Sequence, residues 1–305
     1  MADFRVGIDF GGTKIEIVAI ANDGTETARH RVANPLEYDA SIRAIRELVE
    51  TTERAQGGAA TVGVGIPGAV SPDTGLVKNA NSTWLNGRPF ARDLSTALQR
   101  EVRVENDANC FALSEAVDGG GAGNEIVFGV ILGTGVGGGI TIGGRIVSGR
   151  NGNTGEWGHN PLPWPTDDER PGALCYCGRY GCIETFLSGP GMARDHAERH
   201  GGPPLDAGTI FARSLAGEPA AAASVARYVG RLARSLATVI NLLDPDVIVL
   251  GGGLSNVASL YTDVPAIWQR WIFSDVVSTR LAPPAHGDSS GVRGAAWLAG
   301  QEEPA

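Results

Sequence analysis

One histidine and three cysteines are spaced as a metal set. His159 is followed, after a proline-rich stretch, by Cys175-Tyr-Cys177-Gly-Arg-Tyr-Gly-Cys182, with Glu184 directly behind. One imidazole and three thiolates complete the tetrahedral set that zinc, a borderline-soft ion, prefers. The Cys-x-Cys spacing also fits buried free thiols. Residues 160–172 are too polar and proline-rich to form a core of their own. That favours a metal as the device holding their ends together.

A second chemistry is written in glycine. The chain has 44 glycines, and they cluster. Clustering of this kind brings backbone close to something else. The clusters are Asp9-Phe10-Gly11-Gly12-Thr13-Lys14, Gly133-Thr134-Gly135-Val136-Gly137-Gly138-Gly139 and Gly251-Gly252-Gly253. Each follows an apolar run that reads as a buried strand: Phe4–Ile8, Ile126–Leu132 and Val247–Leu250. Strands ending in glycine expose peptide N–H groups at the carboxyl edge, where α/β sheets bind phosphates. Asp9, the Thr13 hydroxyl and the Lys14 ammonium add what a polyphosphate with magnesium requires, without the Walker spacing. Asp9 as a turn cap and Lys14 as a solvated strand residue remain compatible with the same letters. The second cluster formally satisfies Gly-x-Gly-x-x-Gly. Residues 140–147 then alternate and turn at Gly143-Gly144 like a hairpin, where a dinucleotide site needs a helix.

Asp107 falls between a strand over Val102–Glu105 and a helix over Ala108–Ala116. Alone it reads equally as an N-cap or as a proton acceptor. Ile66-Pro67-Gly68 and the stretch Asn79–Asn86 are turn-like candidate specificity loops. Trp84, Trp157 and Trp164 could stack on a ligand ring, although tryptophan more often packs in a core.

Helices are needed to carry these loops. Apolar residues recur on one face over Asp39–Gln56 and again over Ser224–Leu243, and the latter passes through Asp244-Pro245-Asp246 into a strand, a unit of an open α/β sheet. A chain of 305 residues with 42% hydrophobic content builds two domains, about 1–117 and 118–305, parted at the glycines of 118–123. No repeat of 20–50 residues is visible. The net charge of −9 argues against nucleic acid or an anionic membrane as partner. Neither a membrane-length apolar run nor a leader pattern is found, so the cytoplasm is expected. Cys110 reads as a small buried hydrophobe.

The motifs Asp9-x-Gly-Gly-Thr-Lys14, Glu105-Asn106-Asp107-Ala-Asn109, Gly133-Thr-Gly135, Gly155-Glu156-Trp-Gly-His159, Cys175-x-Cys177-Gly-x-x-Gly-Cys182-Ile-Glu184 and Leu250-Gly-Gly-Gly253 occur in one chain. Their order resembles that of the ROK (repressor, open reading frame, kinase) family of bacterial sugar kinases over essentially the whole length. Through Lys78–Gly87 and Gly155–Trp164 the chain looks most similar to the fructokinases, or mannofructokinases, of that family. The resemblance implies an actin-like ATPase (ribonuclease H-like) α/β fold of two domains around a cleft. The final helix, from Val292, would return to the first domain, making it 1–117 plus about 290–305 and the second 118–289.

The resemblance also implies a hexose kinase using ATP and magnesium. D-fructose, converted to fructose 6-phosphate, is the expected substrate, with N-acetylglucosamine or glucose as the alternative. Asp107 would be the base, and Gly68, Asn106, Asp107, Glu156, His159 and Glu184 would bind the sugar. ATP would contact Asp9, Gly11, Gly12, Thr13, Lys14, Gly133, Thr134, Gly135, Gly137, Gly252, Gly253 and Asn256. A structural zinc ion would sit on His159, Cys175, Cys177 and Cys182, in a homodimer. The family's sugar-responsive repressors carry a DNA-binding helix-turn-helix before the core. A strand from Phe4 and an acidic chain speak against that class.

Overall fold

The computed structural model describes residues 4–287 and 290–301. Residues 1–3, 288–289 and 302–305, which hold the outer limits expected of both domains, lie outside the described residues.

Two five-stranded sheets share one plan. The first is built from β1 (Phe4–Phe10), β2 (Lys14–Ala21), β3 (Glu26–Ala33), β4 (Thr61–Ile66) and, after a small hairpin of β5 (Ala69–Val70) and β6 (Val77–Lys78), β7 (Val102–Asn106). Its order is β3-β2-β1-β4-β7. The second contains β8 (Ile126–Leu132), β9 (Val136–Ile142), β10 (Arg145–Ile146), β11 (Val247–Gly251) and β12 (Arg280–Ala282), in the order β10-β9-β8-β11-β12. Each sheet begins as an antiparallel meander and continues with parallel strands. β11 is buried along its whole length, as a parallel strand covered on both faces must be. The expected turn at Gly143-Gly144 joins β9 to β10.

α1 (Tyr38–Gln56) and α2 (Phe90–Leu98) cover the first sheet. α1 buries Tyr38, Ser41, Ile45, Val49 and Thr52, one face of a helix. The Glu37 carboxylate caps it, accepting from the Asp39 and Ala40 amides, and Gly57 ends it at φ 77°. In the second half, α4 (Glu184–Leu187), α5 (Gly189–His200), α6 (Ala207–Leu215) and α7 (Pro219–Leu243) all lie between β10 and β11, and α8 (Leu260–Asp263) and α9 (Pro265–Trp268) follow β11. α7 starts at Pro219, before the expected Ser224, because proline is well placed in a first helical turn. Its Leu232 and Leu236 pack with Phe128, Val130, Ile248 and Leu250.

The remaining two helices are exchanged. α3 (Asp107–Asp118), which leaves β7, packs on β8 and β9, placing Phe111 among Val127, Val247 and Val249. α10 (Ser290–Leu298), which follows β12, lies on β1, β2 and β4, with Val292 and Ala296 against Val18 and Ile20. The two meet through Cys110, Leu113, Ala295 and Leu298. Glycine permits the close approach: a Cβ on Gly7 would strike the Val292 carbonyl, and one on Gly139 would lie 2.6 Å from the Ala108 carbonyl. The buried Glu115 fastens the end of α3 by accepting from Gly120 N (2.7 Å), Ala285 N (3.0 Å) and Ser290 Oγ (2.6 Å). No helix among the described residues is long and apolar enough to cross a membrane.

Candidate active site

Register brings the chemistry to one edge. Asp9 pairs with Gly65, Gly65 with Glu105, and Ile66 with Asn106, so Asp9, Gly68 and Asp107 leave neighbouring strands at the same end. In the second sheet Ile131 pairs with Gly251, which sets the Gly133–Gly135 turn beside the Gly252 turn.

Between the two halves lies a cleft of about 200 Å³. The first half lines it with Gly68, Asn79, Asn81, Asn106 and Asp107, and the second with Gly133, Thr134, Gly135, Gly137, Glu156, His159, Tyr176 and Glu184, among others. The residues expected around a sugar thus surround one space. Of those expected around a nucleotide, only the Gly133–Gly137 turn is in its lining. Gly11, Gly12 and Thr13 form the β1–β2 turn, with Asp9 and Lys14 at the strand ends, and Gly252, Gly253 and Asn256 follow β11.

Asp107 opens α3, but the cap is Asn106. Asn106 Oδ1 accepts from the amides of Ala108 (2.9 Å) and Asn109 (3.4 Å), and its Nδ2 donates to Gly68 O (3.0 Å). Its acceptor is therefore already used, and it has only one amide hydrogen left for a ligand. Asp107 is partly open to the cleft. Burial pushes its carboxyl up to about 7, the Asp9 carboxylate adds to this, the Ala108 amide opposes it, and Glu156 adds a further push. Burial and Glu16 raise Asp9 in turn. Glu16, buried inside β2, is held by Arg29 and Arg31, and Lys14 Nζ stands 3.5 Å from it.

On the opposite wall Glu184 Oε2 accepts from Val136 N at 3.0 Å, and a Cβ on Gly135 would lie 2.7 Å from that oxygen. His159 Nδ1 lies 3.5 Å from Cys175 Sγ, and Cys177 Sγ lies 3.6 Å from Cys182 Sγ. One donor atom from each of these four residues lies within 4.8 Å of all the others. Zinc bonds of about 2.3 Å to sulfur and 2.0–2.1 Å to nitrogen give tetrahedral edges of about 3.6–3.8 Å. The two close pairs match such edges, so the set could hold a metal ion. Its loop is tight: Gly178 N donates to Cys175 O (2.9 Å) and Cys175 N to Arg179 O (2.8 Å).

The tryptophans do not stack in the cleft, and Trp157 follows the more frequent role. Trp157 is a core residue, its ring 5.7 Å from Phe128 and its Nε1 donating to Gly137 O at 2.9 Å. Trp84 and Trp164 are likewise absent from the cleft lining. The proline-rich stretch has a fastening of its own that its sequence did not reveal. Glu169 is buried and accepts from Arg231 (2.8 Å) and Arg234 (2.9 and 3.0 Å) of α7. Burial raises its carboxyl, but Arg234 and Arg231 prevail and hold it at about 2. Tyr176 was also missed. A tyrosine between two cysteines carries no spacing signal, and only the fold turns it toward His159.

A family model described as ROK family matches residues 5–302. The chain belongs to the ROK family. Its fold is the expected actin-like ATPase arrangement of two α/β domains. This ROK chain is 42% identical over 299 residues to an N-acetyl-D-glucosamine kinase of Yersinia pseudotuberculosis, covering 96% of this chain and 97% of that protein. It is 40% identical over 297 residues to one of Escherichia coli, covering 96% and 98%. Among solved structures, the ROK hexokinase from Thermus thermophilus superposes with a TM-score of 0.86 at 30% identity, over 97% of both chains. A ROK family glucokinase from Streptomyces griseus, solved with glucose and AMPPNP, gives 0.78 at 28% identity, over 98% of this chain and 100% of that one.

Proposed function

We propose that this chain is an ATP-dependent hexose kinase that phosphorylates N-acetyl-D-glucosamine on its 6-hydroxyl. The observation that carries the chemistry is Asp107, a carboxyl tuned to about 7 in a cleft between two α/β domains. The substrate reading rests on the full-length relatives at 42% and 40% identity, both N-acetyl-D-glucosamine kinases. Fructose, favoured by the resemblance around residues 78–87 and 155–164, gives way to what was its alternative. We place the domain limits at residues 4–117 with α10, and 118–287.

Asp107 accepts the proton of the 6-hydroxyl as that oxygen attacks the γ-phosphoryl group in line, and a proton affinity near neutrality suits the task. Glu156, His159 and Glu184 receive the other hydroxyls. The Gly11 and Gly133 N–H groups close their own turns on Lys14 O and Gly135 O, so it is the backbone at Gly12 and Thr134, with the Lys14 ammonium, that faces the phosphates. A Cβ on Gly12, Gly133 or Gly253 would meet nothing within 4 Å, so these glycines leave open backbone that a nucleotide can approach. Magnesium, held with the help of Asp9, neutralises phosphate charge when bound. Zinc would be held by His159, Cys175, Cys177 and Cys182, whose donor set fits it, and would support the sugar wall.

The test is ADP release across a hexose panel at fixed ATP and magnesium. A kcat/KM for N-acetyl-D-glucosamine about tenfold or more above those for fructose and glucose is expected. A value for fructose about tenfold above it would reverse the substrate assignment and leave the kinase intact.

A further inference from the structure

Residues 147–156, the first stretch of the long crossover after β10, belong to the second half by chain order but lie against the first. A Cβ on Gly152 would stand 3.2 Å from the Val70 carbonyl and 3.4 Å from Pro72, so the segment rests on the β5–β6 hairpin. Two side chains of the first half fasten it. The Glu105 carboxylate, on β7, accepts from Ser148 Oγ at 2.7 Å. The Lys78 ammonium, at the end of β6, donates to Asn151 O at 2.7 Å and to Asn153 Oδ1 at 3.0 Å. Glu105 has further partners, accepting from Asn106 N (2.8 Å) and Asn109 Nδ2 (3.0 Å) at the start of α3. Among the described residues the Lys78 ammonium bonds only its two oxygens on the segment.

Both walls of the cleft are within reach of that link. Lys78 pairs with Ala69 and precedes Asn79, which lines the cleft in the left-handed conformation at φ 58°. Asn81, also in the lining, donates its amide to Pro67 O at 3.0 Å, and a Cβ on Gly68 would stand 2.8 Å from Ala80. Gly68 O in turn receives Asn106 Nδ2, beside Asp107. On the other side Asn153 O accepts from Glu156 N at 3.2 Å, and Gly155 packs so closely on β9 that a Cβ would lie 2.2 Å from Gly138 O. Lys78 thus completes a path of contacts from Asp107 on one wall to Glu156 on the other. Its bonds are exposed, so water can replace them at little net cost. Such a link holds the walls in register without barring the cleft to a sugar.

We propose that Lys78 is a positioning residue for the hexose: by holding Asn151 and Asn153 it sets the Glu156 wall opposite the Asp107 wall. This rests on the kinase reading above. Without the link the sugar must order the two walls itself, and that cost falls on binding. The experiment measures kcat, the KM for the preferred hexose of the panel, the KM for ATP and the urea midpoint. It compares wild type, Lys78→Ala, Lys78→Arg, Asn153→Ala and the double variant Lys78→Ala with Asn153→Ala, all full length.

A charge-assisted bond open to water stands at the low end of its range, so Lys78→Ala should raise the hexose KM about tenfold. It should lower kcat less than about threefold and leave the ATP KM within about twofold of wild type. Lys78→Arg keeps donors for both oxygens, and its hexose KM should stay within about threefold. Asn153→Ala removes one end of the link; its own rise should be smaller and should add little once Lys78 is alanine. If Lys78→Ala folds poorly, Asn153→Ala carries the comparison of the two KM values. A hexose KM unchanged in Lys78→Ala overturns the proposal, even where the urea midpoint falls, because the link then serves the fold alone. So does an equal rise for ATP, a rise as large in Lys78→Arg, or effects that multiply in the double variant; each of these leaves the kinase reading intact. A wild type that phosphorylates no hexose refutes that reading first, and the role of Lys78 with it.

Discussion

The two sheets match strand for strand, yet the crossovers that leave them differ greatly. In the first half the passage from β3 to β4 is residues 34–60 and contains little beyond α1. The equivalent passage in the second half, from β10 to β11, is residues 147–246 and holds Glu156, the Cys/His set, Tyr176, Glu184 and α4–α7. The shared plan brings two carboxyl edges together. What is inserted on the plan decides the work: the first half brings the tuned carboxyls Asp9 and Asp107, and the second a shaped wall. Exchange of α3 and α10 then joins the halves, since each sheet is covered by the other's last helix.

If the division holds, a change in the first half strikes turnover. Asp107→Asn should lower kcat about 10²- to 10⁴-fold, the usual worth of a positioned proton acceptor. The fold should survive, because Asn106 and not Asp107 caps α3. A variant keeping more than half of wild-type turnover would place the base elsewhere.

A change in the second half should strike the wall instead. Glu169→Gln leaves the buried Arg234 without a carboxylate, while Arg231 keeps only Asp195. Breaking a buried ion pair by removing one partner costs about 3–5 kcal/mol, readable by urea unfolding. A loss below about 1 kcal/mol would show that the metal set alone holds residues 160–172. The complementary change is Cys177→Ser. Wild-type protein purified without added metal should contain about one zinc per chain, and the variant should bind it at least about tenfold more weakly, with sugar KM raised more than kcat is lowered. Full activity in a metal-free preparation would remove the zinc assignment.

The contrast between the halves also explains what could be read in advance. Strand ends marked by glycine, the Gly143-Gly144 turn and the grouping of His159 with three cysteines are local patterns, and local patterns survive in the letters. The shared sheet plan left no sequence repeat, because matched strands share only burial. The exchange of α3 and α10 depends on contacts between residues near 110 and 295 that no periodicity encodes. Glu16 and Glu169 carry no local signal, because the arginines that enclose them stand on other strands and helices. The sugar was the least legible feature, since the side chains lining the cleft come from both halves and meet only in the fold.

The smallest effect sharpens the comparison within Asp107 itself. A base must be ionised, so kcat/KM should rise about tenfold per pH unit below about 7 and level off above it. Stability should run the other way. Because the carboxyl is raised on folding, mainly by burial, its contribution is fully present below the ordinary aspartate value and is lost as pH rises through about 7. Asparagine at this position stays neutral at every pH. Asp107→Asn should therefore melt above the wild type at pH 8, and the gap should narrow as pH falls below about 7 and close only below about 3.8, where Asp107 is protonated in the folded and the unfolded chain alike. Thermal melts of both proteins across that range provide the check. A gap that does not change with pH would mean that Asp107 keeps an ordinary proton affinity, and the sloping pH–rate profile would then belong to another group in the cleft.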